Sequence, residues 1–105
     1  MTISGTNLSM VRGDSERLSV SCSTPFASGD QVAFTVRKNV ESPVDIRKIV
    51  TSFDDGKAVI AIDPADTADM DFGAYVYDIQ VTWGSGIVKT VVKKSIFNLE
   101  EEVTY

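Results

Sequence analysis

The sequence predicts an all-β fold: an antiparallel β-sandwich of about seven strands, forming a single domain over residues 1–105. Two observations carry that prediction. Apolar and polar residues alternate through stretch after stretch, the period-2 pattern of half-buried strands. Gly, Asp, Asn and Pro punctuate those stretches at short intervals, as turns between strands require.

Residues 1–7 are polar and Gly-containing, and read as a loose start or a short edge strand. Leu8-Ser9-Met10-Val11-Arg12 is the first clear strand, ended by Gly13-Asp14. In Glu16–Cys22, Leu18, Val20 and Cys22 alternate with Arg17, Ser19 and Ser21, which predicts a strand with the first three inward. Residues 23–30 carry Pro25 and Gly29 and read as a loop. Gln31–Lys38 alternates again, with Val32, Phe34 and Val36 inward. Val44–Ser52 is extended but less regular. Ile49 and Val50 are adjacent, so one of them lies outside or at a bulge. Asp54-Asp55-Gly56-Lys57 is a tight turn leading into Lys57–Asp63, whose inward residues are Ile60 and Ile62. Asp63-Pro64 starts one short helical turn, since Asp caps a helix and Pro suits its first turn.

Gly73–Trp83 is the strongest strand signal. Tyr75, Tyr77, Ile79, Val81 and Trp83 share one side; Ala74, Val76, Asp78, Gln80 and Thr82 share the other. Each aromatic can bury roughly 150–250 Å², so the core should form around this strand. A tight reversal at Gly84-Ser85-Gly86 would set Val81 opposite Val88, Ile79 opposite Thr90, Tyr77 opposite Val92 and Gln80 opposite Lys89. Beyond a bulge at Lys93-Lys94 the strand continues from Ser95 to Leu99, and Glu100–Tyr105 forms an acidic tail.

Composition narrows the function. The chain has 105 residues, 43% of them hydrophobic, enough for one core. Its net charge of −5 argues against a nucleic-acid partner. The sequence predicts no membrane span and no signal peptide. There is no His, which removes the commonest general base and transition-metal ligand. The single Cys22 cannot form an internal disulfide, so the chain suits a reducing compartment.

Asp71-Phe72-Gly73-Ala74-Tyr75-Val76-Tyr77 resembles the immunoglobulin F-strand pattern Asp-x-Gly-x-Tyr-x-Cys, with Tyr77 in place of the second Cys. The resemblance implies an immunoglobulin-like sandwich in which Tyr75 forms a tyrosine corner. It also implies that Cys22, Phe34 and Tyr77 pin the core by packing. A second likeness spans most of the chain: Val11-Arg12-Gly13-Asp14-Ser15, Asp54-Asp55-Gly56, Thr67, Gly73-x-Tyr75-x-Tyr77-Asp78-Ile79-Gln80, Thr90, Phe97 and Glu101-Glu102-Val103-Thr104. This looks like the small immunoglobulin-like domain at the N-terminus of phage baseplate upper proteins, found also as short stand-alone phage and prophage proteins. The resemblance implies a virion structural protein of the tail, baseplate or an adaptor. It implies synthesis in the bacterial cytoplasm, residence in the virion, and other virion proteins as partners.

Each candidate site also has a plainer role. Arg12-Gly13-Asp14 is the integrin-binding tripeptide, but any tripeptide recurs by chance, and Gly13-Asp14 reads more simply as a turn between two strands. Asp54, Asp55, Asp63, Asp66, Asp69 and Asp71 could gather oxygens for Ca²⁺, but their spacing is not that of the helix-loop-helix calcium loop. A helix cap and a solvated acidic face explain them more simply. Cys22, inward and without a base, reads as an inert thiol. Asp78, opposite the aromatics, can pair with a Lys of the next strand. Val76 and Val91, among Gln80, Lys89 and Lys93, form a small exposed aliphatic group. No catalytic residue, cofactor site or metal site is assigned, and the expectation is a protein that is not an enzyme. Homo-oligomerisation is expected through edge strands, at the first strand and at Ser95–Tyr105. The alternative is a host-encoded binding module for a surface ligand or carbohydrate, with Phe26 and Phe53 as its exposed loop aromatics.

Overall fold

The computed structural model describes the backbone of residues 2–101 and the side chains of residues 5–101. In chain order the strands are β1 (Thr2–Ser4), β2 (Asn7–Val11), β3 (Glu16–Val20), β4 (Gln31–Arg37), β5 (Val44–Val50), β6 (Ala58–Ile62), β7 (Gly73–Thr82) and β8 (Val88–Glu100). One helical turn, α1 (Pro64–Thr67), crosses between β6 and β7. Six strands form one sheet in the order β1-β2-β8-β7-β4-β5, and β3 and β6 form the second.

The protein is an immunoglobulin-like β-sandwich. β8, β7 and β4 take the places of strands G, F and C, while β3 and β6 take those of B and E. β5 extends the larger sheet beside β4. The pairing departs from the purely antiparallel expectation at one point: β2 runs parallel to β8, with Leu8 opposite Phe97. These two strands are far apart in sequence, so no short hairpin imposes antiparallel pairing on them.

The core lies between the sheets. Val32, Phe34, Val36, Ile60, Val81 and Phe97 are fully buried, and Tyr75, Tyr77 and Ile79 nearly so. The inward residues expected for β4, β6 and β7 are therefore inward, except that β7 ends at Thr82 and Trp83, just past it, is half-buried against the core. Ile49 is exposed and Val50 half-buried, which resolves that adjacent pair. Cys22 departs from expectation. β3 ends at Val20, so Cys22 lies past the strand and only half-buried. Leu18 and Val20, rather than Cys22, share a cavity wall with Tyr77. Phe34 does pack on Tyr77, ring centroids 5.4 Å apart.

Turn chemistry sets the registers. Asp54 and Lys57 exchange both backbone hydrogen bonds at 3.0 Å around Asp55 and Gly56, each at positive φ, the primed two-residue hairpin. The β7–β8 reversal is one residue longer than the tight turn expected. Trp83 N–H donates to Ile87 O at 2.8 Å and Gly86, at φ +94°, donates to Trp83 O. Val81 therefore faces Lys89, and Gln80 faces Thr90. Two bulges follow. Val91 is squeezed out of register between Thr90 and Val92, and Lys93-Lys94 together oppose Asp78, so that Ile79 meets Val92 and Tyr77 meets Ser95.

A candidate protein-contact face

The larger sheet has an outer face that β3 and β6 do not cover. Residues paired across strands share a face. Ile96, Val76, Arg37 and Val44 thus form one row across β8, β7, β4 and β5. A bulge between Val36 and Arg37 brings Val44, rather than Asp45, opposite Arg37. The next row carries Asp78, Thr35 and Arg47. Val40, in the β4–β5 connection, leans over the first row. With Thr35, Arg37, Val76, Asp78 and Lys94 it lines an open concavity of about 280 Å³. Val40 is 62% exposed, Val44 37% and Ile96 41%. Isolated surface aliphatics are ordinary, but Ile96 pairs with Val76, which shares the concavity with Val40, while Val44 lies beyond Arg37.

The face is basic within an acidic chain. Arg37 and Lys94 line the concavity with Val40, Val76 and the Asp78 carboxylate; Arg47 lies in the next row, and Lys93 stands beside Lys94 in the bulge opposite Asp78. The Arg37 guanidinium donates to Ser42 O at 3.2 Å. Asp78 forms no ion pair with the lysines opposite it among the described residues. Of the two aliphatics expected here, Val76 lines the concavity, whereas Val91 turns half-buried against the core at its bulge. Lys89 faces Val81 instead of Gln80. Sequence reading missed Val40, Val44 and Ile96. Ile96 was accessible in principle, because it adjoins Phe97 and two neighbours in a strand cannot both point inward.

The acidic residues gather at one end of the sandwich through a set of bonds to backbone. Gly13 N–H donates to Thr67 Oγ1 at 2.9 Å, and Arg12 N–H donates to Glu100 O at 3.0 Å. The Arg12 guanidinium donates to Met70 O at 3.1 Å and stacks 4.1 Å above the Phe72 ring. The tripeptide Arg12-Gly13-Asp14 is thus a structural corner with its Arg folded onto the protein. The tyrosine corner is present: Tyr75 O–H donates to Asp71 O at 2.8 Å. Burial, with Asp45 and Asp71 nearby, pushes the Tyr75 phenol up from its ordinary pKa. Burial also pushes up Tyr77, whose O–H donates to Thr6 O.

Asp14, Asp63, Asp69, Asp71, Glu100 and Glu101 are exposed around this end. Asp66 accepts from Asp63 N–H at 2.7 Å and pairs with Lys48 Nζ at 2.8 Å. Partial burial raises its pKa, but the Lys48 bond, the Asp63 N–H and the Lys48 charge outweigh that and hold it below its ordinary value. Among the described residues no three acidic or Cys side chains converge as a metal site would require. Asp54 and Asp55 lie apart, in the β5–β6 turn.

The remaining expected positions are distributed elsewhere. Phe26 is buried and Phe53 half-buried; Phe26 packs at 5.2 Å on Phe53 and at 5.6 Å on Trp83. They form a core cap rather than a ligand platform. The Asp30 carboxylate, which the sequence reading passed over, fixes that end by accepting from Ala27 N–H at 2.9 Å and Gly84 N–H at 2.8 Å. The short edge strand expected in residues 1–7 is present as β1, at one end of the larger sheet, but the other expected edges are corrected. β2 lies between β1 and β8, and β8 between β2 and β7, so neither is an edge. The edges are β1 and β5 of the larger sheet and both strands of the smaller. Residues 102–105 of the acidic tail, including most of the closing Glu-Glu-Val-Thr, lie outside the described residues. No helix among the described residues is long and apolar enough to cross a membrane. No family model and no curated protein matches the chain.

Proposed function

We propose that the protein is a phage or prophage virion structural component, of the tail, baseplate or an adaptor, which works through contacts with other virion proteins rather than by catalysis. The observation that carries this reading is the row Ile96, Val76, Arg37 and Val44 with Val40 above it: aliphatics interrupted by one Arg, on a sheet face that no layer among the described residues covers. The resemblance of Gly73-x-Tyr75-x-Tyr77-Asp78-Ile79-Gln80 to baseplate upper proteins supplies the phage context. The host binding-module alternative needs exposed loop aromatics, and Phe26 and Phe53 pack against each other instead.

Mass spectrometry of virus-like particles, purified after induction of the source bacterium, tests the reading. The expected result is this chain at fixed stoichiometry to the other particle proteins. Clear expression with no chain in intact particles would overturn it.

A further inference from the structure

We infer that the basic outer face of the larger sheet receives the acidic end of a second copy of this chain, with Phe72 of that copy entering the concavity under Val40. The inference rests on the reading of a protein that works by contact, and it names the contact. Two arrangements of identical chains are open to such a face. In a two-fold pair the same patch meets itself. Arg37, Arg47, Lys93 and Lys94 would then approach their own images, with Asp78 as the carboxylate in those rows to offset them. Like charges brought together across an interface cost affinity. The complementary surface is the far richer acidic end, where Asp14, Asp63, Asp69, Asp71, Glu100 and Glu101 are exposed.

Shape agrees with charge. Phe72 sits within that acidic set, between Asp71 and Gly73, and is 39% exposed. Arg12 covers one side of its ring and so fixes its orientation. An aromatic knob with Asp71 beside it and Arg12 against its ring thus meets a hollow of about 280 Å³ lined by Val40 and Val76 with Arg37, Lys94 and Asp78. Knob and hollow are different surfaces, so the contact is head-to-tail and either closes a ring or propagates. Four strands about 4.8 Å apart make a face only roughly 20 Å wide. That is the scale of the smallest specific interfaces, so a single contact is weak and multiplies in a closed assembly.

Sedimentation velocity on the purified chain tests this, at concentrations up to roughly 1 mM, the weak end of the affinity range. The expected result is reversible association at low ionic strength that added salt weakens. Val76→Asp in the hollow and Phe72→Ser on the knob should each weaken it tenfold or more. Lys94→Glu, fully on the surface, should weaken it several-fold without risk to folding. The decisive sample mixes Val76→Asp with Phe72→Ser. One variant keeps its knob and the other its hollow, so the mixture forms pairs and nothing larger. A wild-type chain that stays monomeric throughout, or association indifferent to these substitutions, would overturn the inference. Neither result bears on whether the chain is found in particles, so this inference and the virion reading fail separately.

Discussion

The two sides of β7 differ in kind. Inward, Tyr75, Tyr77, Ile79 and Val81 are buried against Phe34 and Phe97, with Phe34 and Phe97 centroids 6.3 Å apart. Outward, Val76 and Asp78 are half-buried and Gln80 is exposed, and no layer among the described residues covers them. A single strand of ten residues thus holds the fold together with one side and carries the proposed contact face on the other. The inner side is constrained by packing to interior density, where a lost side chain leaves a cavity. The outer side is constrained only by what it touches. Substitutions on the two sides should therefore separate: inner changes alter stability, and outer changes alter association with stability nearly intact.

The largest effect belongs to Tyr77→Ala. It removes a ring packed on Phe34 and a hydroxyl that ties the β1–β2 turn through Thr6 O. The expected loss is about 3–5 kcal/mol, in the range for aromatic truncation in a core. Urea melts measure it. A loss under about 1 kcal/mol would mean that the inner side of β7 is not the core.

Tyr75→Phe keeps the ring and removes only the bond to Asp71 O. Asp71 is exposed, so water can take the freed carbonyl, and the expected loss is about 1 kcal/mol by the same melts. A loss as large as that of Tyr77→Ala would mean that the corner bond, rather than ring burial, holds the α1–β7 connection.

The inner side was legible in the sequence because burial imposes a strict period. Val32, Phe34 and Val36, then Ile60 and Ile62, then Tyr75 to Val81 each announce their facing. The Asp-x-Gly-x-Tyr pattern announced the corner for a similar reason, since its bond spans only four residues. The contact face was less legible. Its rows depend on bulges beside Arg37, Val91 and Lys93-Lys94, and each bulge shifts the facing of everything beyond it. Lys93-Lys94 was readable as a break in alternation; the one that exchanges Asp45 for Val44 opposite Arg37 was not. Cys22 failed for a related reason, because alternation marks a phase but does not mark where a strand ends. The acidic end assembles Gly13, Thr67 and Glu100 from distant parts of the chain, which periodicity cannot foresee.

The smallest effect concerns a charge on the inner side itself. Lys48 lies between Ile46 and Val50 on the inner row of β5, opposite Phe34, where only apolar residues are expected. The edge position resolves this, since its ammonium leaves the core to meet Asp66 of α1 at 2.8 Å. Folding lowers the Asp66 pKa below its ordinary 3.8, so the folded state favours the carboxylate. The pair therefore contributes stability above that value and loses it as pH falls through 3.8 and the lower folded pKa. Lys48→Met should cost under about 1 kcal/mol at pH 7, as for an ion pair near the surface, and nothing measurable well below pH 3.8. Urea midpoints of both chains across that interval check it. A cost that is the same at both ends would mean that the pair with Asp66 is not its source, since Met keeps a stem of similar length and what is lost is the ammonium. A cost that fades with acid would instead show that the inner side ends at β5, and that α1 is held to it by charge.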